Sequence, residues 1–317
     1  MLVAGTLTGF RVAAAFRETD RASDLAPSSG RFIETAGGRM FVQETGPGDG
    51  TPVVLIHGTG AWSELWRPIM DRLGAEGFRV IALDMPPFGF SDRPTTPSYG
   101  RGDQAQRIAG VLGAMKVDSA YLVGHSFGAG PTVETVLRFP GKVRGLVLVA
   151  GALGLSQAGT GGPPVLLAWL LDRGWLRDSF VAASATNPLA TRFLLSKMIY
   201  RKESADRQAV EILQRPMTLA NSTRDLGAWL KHFLSAPPDS AALSADRRHY
   251  IGITVPTVLI WGDKDSLTPL DQGRDLNGLI NGSILRVMPE VGHIPQLEDP
   301  SPFGNILIDA LRSMKHT

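Results

Sequence analysis

The chain has 317 residues, 20% of them charged, a formal net charge of +2 and no cysteine. This is ordinary globular composition, long enough for a substantial core in one or two domains. Balanced charge without a long Lys/Arg run argues against nucleic acid as a partner, and the missing cysteine excludes disulfides, thiolate metal sites and a thiol nucleophile.

The N-terminal stretch MLVAGTLTGFRVAAAF is mostly apolar, with Arg11 inside it. It is shorter than the ~20 apolar residues of a membrane span and lacks the flanks of a secretory signal. Val3, Leu7, Phe10 and Ala14 recur at helical spacing. Three readings stand: a helix docked on the domain, an interfacial helix giving membrane contact through residues 1–16, or the remainder of a longer anchor. The localisation expected is cytoplasmic, with membrane association under the second and third readings.

From Phe32 onward strands and helices alternate. Phe32–Glu34 and Met40–Glu44 flank Gly37-Gly38 as a hairpin. The runs PVVLIHG (52–58), FRVIALD (78–84), AYLVGH (120–125) and VRGLVLVAG (143–151) read as buried parallel strands. Trp62–Leu73, Asp103–Met115 and Phe127–Phe139 read as the helices between and after them. After a Gly/Pro loop at Gly159–Pro164, residues 165 to 250 carry helical patterns and no convincing strand. VPTVLIWGD (255–263), Leu270–Leu279, SILRVMP (283–289) and Pro302–Met314 restore the alternation. Residues 1–30 are thus an apolar helix or arm, residues 31–152 and 251–317 one α/β core, and residues 153–250 a helical cap inserted into it.

Gly124-His125-Ser126-Phe127-Gly128 places a serine between a strand and a helix. In that context G-x-S-x-G is a nucleophile elbow, because a strand that turns abruptly into a helix needs glycine where neighbours crowd the serine. A serine hydroxyl needs a base. Of the six histidines, His293 follows the last strand, in PEVGHIPQLEDP, from where a loop can fold back over the sheet edge. The base needs an acid to orient it, and Asp263 and Asp265 in WGDKDSLTP both compete for that role.

HGTG (57–60), LDMPPFGFSDRP (83–94), GHSFG (124–128), GDKDSLTP (262–269) and GHIPQLEDP (292–300) occur in this order. From Gly46 to about Leu311 the chain resembles the α/β-hydrolase superfamily, in its capped esterase, haloperoxidase and epoxide-hydrolase-like branch. The resemblance implies a mostly parallel sheet flanked by helices, with a cap. It selects Asp265 over Asp263 as the acid and gives a triad Ser126, Asp265, His293. It supports backbone N–H groups of Thr59 and Phe127 as the oxyanion hole. Asp84 reads as a loop tether. The sequence Pro86-Pro87-Phe88-Gly89 departs from the family's single Pro-Gly.

Trp62, Trp66, Trp169 and Trp229 are the candidate substrate contacts, since pockets are mostly apolar. Arg192, Lys197, Arg201, Lys202, Arg207 and Arg215 in the cap are either a solvated face or a means of holding a carboxylate-bearing substrate. The function expected is a carboxylesterase acting on a small-molecule ester with an apolar portion. The same triad also serves a C–C bond hydrolase, a lactonase or a perhydrolase, and a binding protein with an idle triad is the non-enzymatic alternative. No metal or organic cofactor is implied.

Overall fold

The computed structural model describes residues 2–155, 169, 171–235 and 242–315; the loop expected at Gly159–Pro164 lies outside them. The hairpin forms from β1 (Gly30–Thr35) and β2 (Gly38–Thr45). Thr35 pairs with Gly38, whose φ of +104° is open to glycine without strain. Six more strands follow: β3 (Thr51–Ile56), β4 (Phe78–Leu83), β5 (Ala120–His125), β6 (Val143–Val149), β7 (Thr257–Gly262) and β8 (Ile284–Met288). The eight lie in one sheet in the order β1-β2-β4-β3-β5-β6-β7-β8. β1 and β2 are antiparallel to their neighbours, and every pair from β4 to β8 is parallel.

The continuous apolar strands are buried on both faces, and successive side chains divide between two cores. On one face Val54 and Ile56 meet Ile108, Val133 and Leu276 from the helices Arg101–Ala114, Ala129–Arg138 and Leu270–Leu279. On the other, Val53 and Leu55 meet Ile69, Leu73, Phe303 and Leu307 from Arg67–Ala75 and Pro300–Ser313. The helix expected at Trp62–Leu73 divides into a 3₁₀ turn, Ser63–Trp66, and the α-helix, with Pro68 in its first turn where no backbone donor is needed.

The chain passes from β3 to β4 on one side and from β5 to β6 on the other, so it leaves the carboxyl ends of the neighbouring strands β3 and β5 in opposite directions. That divergence opens a crevice at the sheet edge. Ile56 and Gly124 are paired there, which puts the loop after β3 beside the turn after β5.

Between β6 and β7 the chain carries the helices Gly174–Ala183, Pro188–Met198, Arg207–Gln214 and Ser222–Ser235. Asn187 and Asp206 cap the second and third by accepting the N–H groups of Leu189 and Ala209 at 3.0 and 2.7 Å. The N-terminal helix Leu2–Arg17 packs on Gly174–Ala183, with Ala14 fully buried. Arg17 Nη2 donates to the Thr186 carbonyl at 2.9 Å, and Asp20 exchanges backbone bonds with Thr218 and Ala220. This is the docked-helix reading of the segment. No helix among the described residues is long and apolar enough to cross a membrane.

Candidate active site

Ser126 leaves β5 with φ +50°, a left-handed conformation that costs a non-glycine residue strain and persists only where its surroundings hold it. The flanking glycines show what holds it. A Cβ on Gly124 would sit 2.5 Å from Thr132 Oγ1, and one on Gly128 would sit 2.6 Å from the His57 carbonyl oxygen. One on Gly58 would lie 3.0 Å from Ser126 Cβ, so the HGTG loop rests directly against the serine. Phe127 is the next residue, in the first turn of the following helix, where N–H groups lack intrahelical acceptors.

The serine, histidine and aspartate converge. His293 Nε2 is 2.7 Å from Ser126 Oγ, and His293 Nδ1 is 2.9 Å from Asp265 Oδ2. Asp265 Oδ1 accepts the N–H groups of Leu267 and Thr268, each at 2.9 Å, while Thr268 Oγ1 donates to Oδ2 at 2.7 Å. Burial alone would push the Asp265 carboxyl up. Hydrogen bonds from His293 and Thr268, with the attraction of His293, outweigh burial and hold it below the ordinary range. An ionised Asp265 keeps the proton of His293 on Nδ1, leaving Nε2 free to accept from the serine. Asp263 instead accepts from the Lys264 ammonium at 2.9 Å.

The His293 loop is tied from three sides. His125 Nε2 lies 2.8 Å from the His293 carbonyl oxygen, to which it donates. The backbone N–H of His293 donates to the Met198 carbonyl in the cap at 3.2 Å. Buried Glu298 accepts the N–H groups of Gly292 and Ile294 on either side of His293, at 2.9 and 3.0 Å. It also accepts those of Tyr200 and Arg201 in the cap, at 2.7 and 3.0 Å. Glu298→Gln leaves one oxygen for four backbone donors and turns an amide N–H₂ towards at least one of them. The expected result is a loss of roughly 2–3 kcal/mol, read as a lower urea midpoint, with a parallel loss of turnover as the His293 loop loosens.

His57 and Asp84 organise the loops rather than meet the serine. His57 Nδ1 lies 2.8 Å from the Gly58 carbonyl, and His57 Nε2 accepts the Met85 N–H at 2.9 Å, so the ring is neutral. Asp84 accepts the N–H groups of Ser63 and Phe90, each at 2.8 Å, tying the loop after β3 to the loop after β4. A Cβ on Gly89 would lie 2.1 Å from Asp84 Oδ2, so this tether requires glycine there. The Pro86–Pro87 bond is cis, and Pro87 and Phe88 form part of a cavity wall.

These buried groups make stability depend on pH. Burial pushes His57 down to about 4; burial, aided by His293, pushes His125 down to about 3. Below pH ~6.5 the unfolded chain binds protons that the folded rings refuse, so their contribution is lost as pH falls. Asp84 opposes them: burial pushes it up to about 6, so the folded state takes a proton first and gains stability as pH falls through that value. Two histidines outweigh one aspartate. The unfolding free energy is expected to fall between pH 6.5 and 4 by a net of roughly 3 kcal/mol or more, read as a lower urea midpoint.

Beside the HGTG loop lies a cavity of about 330 Å³ roofed by the cap, with Thr59, Phe88, Leu213 and Trp229 in its lining. Trp229 packs edge-on against Phe88 and Phe127, with ring centroids 5.0 and 5.4 Å apart, so the cavity wall continues to the residue after Ser126. Of the four tryptophans singled out, Trp229 alone lines it. Trp62 is buried against Phe90, and its indole N–H donates to the Ile212 carbonyl at 2.7 Å, which makes it a strut between core and cap. Trp66 lies in the core on the opposite face of the sheet, against Phe303. Trp169 is half-exposed, with the Arg173 guanidinium 3.9 Å from its ring centroid.

The cap cations do not line the cavity either. Arg192, Lys197, Lys202, Arg207 and Arg215 are exposed, and Arg201 pairs with Asp299 at 2.9 Å. Among the described residues the cation in the lining is Arg93, from the loop after β4. Arg93, Thr268, Glu298 and His125 had no distinct signal beyond their place within recognised motifs.

Comparison with known proteins agrees with this architecture. The family model for the alpha/beta hydrolase fold matches residues 51–300. The 2-hydroxy-6-oxo-2,4-heptadienoate hydrolase of Pseudomonas putida strain F1 is 30% identical over 89% of this chain and 96% of its own length. The 2-hydroxymuconate semialdehyde hydrolase of Pseudomonas sp. strain CF600 is 30% identical over 90% of this chain and 95% of its own. Among solved structures, the meta-cleavage product hydrolase of Pseudomonas fluorescens IP01 superposes with a TM-score of 0.72 at 24% identity, covering 90% of this chain and 98% of that one. With a family match over most of its length and hydrolase relatives spanning nearly all of it, the chain belongs to the α/β-hydrolase fold family.

Proposed function

We propose that this protein hydrolyses the carbon–carbon bond beside the 6-oxo group of a 2-hydroxy-6-oxo-dienoic acid. The observation that carries the reading is the 30% identity, along about nine-tenths of the chain, to two hydrolases, the first named for a substrate of this kind. It displaces the carboxylesterase from first place and promotes the C–C alternative.

The chemistry follows from the triad. Movement of the 2-hydroxyl proton to C5 gives a 2,6-dioxo acid. Ser126 Oγ attacks C6 as His293 Nε2 takes its proton, and Asp265 stabilises the imidazolium. The N–H groups of Phe127 and Thr59 hold the oxyanion. Collapse breaks the C5–C6 bond, and the electron pair is drawn through C4 and C3 onto the 2-oxo oxygen, which recovers a proton. Water, activated by His293, then cleaves the acyl-enzyme to a carboxylic acid and frees Ser126.

Ester hydrolysis is the second reading, favoured by the apolar cavity wall and by a triad that needs nothing more to cleave an activated ester. The two are separated by assaying the purified protein on 2-hydroxy-6-oxohepta-2,4-dienoate and on p-nitrophenyl esters from acetate to laurate. The expected result is loss of the dienoate chromophore with one acetate per turnover, at a kcat/KM about tenfold or more above any ester. Ester turnover with the dienoate untouched would replace the first reading with the second.

A further inference from the structure

The Arg93 side chain keeps only 14% of its surface exposed, yet its surroundings give it no full set of acceptors. Its Nε is buried without a hydrogen-bond partner, and the nearest carboxylate oxygen, Asp225 Oδ2, is 3.8 Å away, beyond hydrogen-bond range. Asp225 is already engaged by Arg224, whose Nε and Nη2 both lie 3.3 Å from Oδ1. Neighbouring Asp178 is engaged by Arg177 at 3.0 Å. Asp92 takes the Arg39 fork at 3.0 and 3.1 Å, and Asp84 takes two backbone donors. Each carboxylate that acts on Arg93 thus has another donor. A buried guanidinium left in this state is costly unless an anion completes it.

The space for that anion is beside it. Arg93 lines the cavity that also touches the Thr59 loop and the Trp229 wall, and most of the remaining lining is aliphatic or aromatic. We propose that Arg93 is the anion anchor of this cavity: its guanidinium binds a substrate carboxylate and sets a preference for acids over neutral substrates. A guanidinium matches a carboxylate with paired N–H donors, and the cavity's low polarity strengthens the contact. Fixing that end of the substrate leaves its reacting carbonyl to be held at Ser126. The inference rests on reading this cavity as the substrate site of the proposed hydrolase, but it does not depend on which bond is broken.

The test therefore uses esters. Mono-p-nitrophenyl esters of succinate, glutarate and adipate are compared with neutral p-nitrophenyl esters of equal acyl length. For at least one length the wild type is expected to favour the acid by about tenfold or more in kcat/KM, through KM. Arg93→Met is expected to bring that ratio to one or below, and Arg93→Lys to retain part of it. Both substrates report the same folded fraction, so the ratio is independent of any loss of folded enzyme. If Arg93→Met is recovered unfolded, the wild type still decides: the free dicarboxylate should inhibit neutral-ester turnover about tenfold more strongly than its diamide. Equal inhibition, no acid preference at any length, or an Arg93→Met enzyme that keeps the preference overturns the anchor. Acid preference in a wild type that leaves the dienoate untouched supports the anchor while defeating the carbon–carbon reading.

Discussion

Ser126→Ala is expected to lower kcat/KM by ~10⁴-fold or more on whichever substrate the wild type turns over, with little change in the urea midpoint. The size of the loss follows from the arrangement around the hydroxyl. His293 Nε2 is 2.7 Å from Ser126 Oγ, so proton removal and attack are coupled through one short contact. Alanine leaves the histidine, the aspartate and the backbone N–H groups of Thr59 and Phe127 in place but no atom to attack the carbonyl. Residual turnover would then require water in the vacated space. The fold bears the change because a Cβ is already accommodated at this left-handed position, and alanine adds nothing to it. The checks are steady-state kinetics and a denaturation curve on the same preparation; a loss of only a few-fold would show that the chemistry runs elsewhere.

Asp265→Asn is the second large effect, expected at ~10³–10⁴-fold in kcat. Here the backbone decides which way the new amide faces. Leu267 and Thr268 both point N–H groups at Oδ1, so the oxygen of asparagine must remain there. Its N–H₂ is then directed at His293 Nδ1, where the carboxylate had accepted a proton. His293 responds by accepting at Nδ1 and carrying its proton on Nε2, facing Ser126 with a donor instead of an acceptor. The volume is unchanged, the backbone contacts to Oδ1 survive, and the Thr268 hydroxyl that had donated to Oδ2 can turn to the Ala150 carbonyl, so the loss is one of tautomer rather than of structure. A carboxylate also stabilises the imidazolium formed during attack, and the amide does not. Asp263→Asn, whose carboxylate meets only Lys264 among side chains, is expected to stay within about threefold of wild type.

How far the site was legible in the sequence depended on the range of the interactions that make it. The elbow was legible because its strand, its glycine-flanked serine and its helix are contiguous in the chain, although the crowding of Gly128 comes from Ile56 and His57 far earlier. His293 was legible from its place after the last strand, and the choice between Asp263 and Asp265 needed the family resemblance. The strands were legible as apolar runs because both faces of the sheet are covered. The tryptophans were not, because an indole that lines a cavity and one that fills a core look alike in a helical pattern. Trp62 is decided by a carbonyl at Ile212, far along the chain, and Trp66 by the helix that carries Phe303. Arg93 was hidden for the same reason: its exposure to the cavity and its lack of acceptors exist only once the loop after β4 meets the helix Ser222–Ser235. The docking of the N-terminal helix likewise depends on Gly174–Ala183, whose face no local pattern could assign to it.

If Ser126 is an activated nucleophile, covalent labelling shows it without knowledge of the substrate. Wild type, Ser126→Ala and His293→Ala are treated with a fluorophosphonate and analysed by intact mass and peptide mapping. The expected result is one adduct on the wild type, located at Ser126, absent from Ser126→Ala and formed at least ~10²-fold more slowly in His293→Ala. A folded wild type that remains unlabelled, or an adduct on another residue, would contradict it.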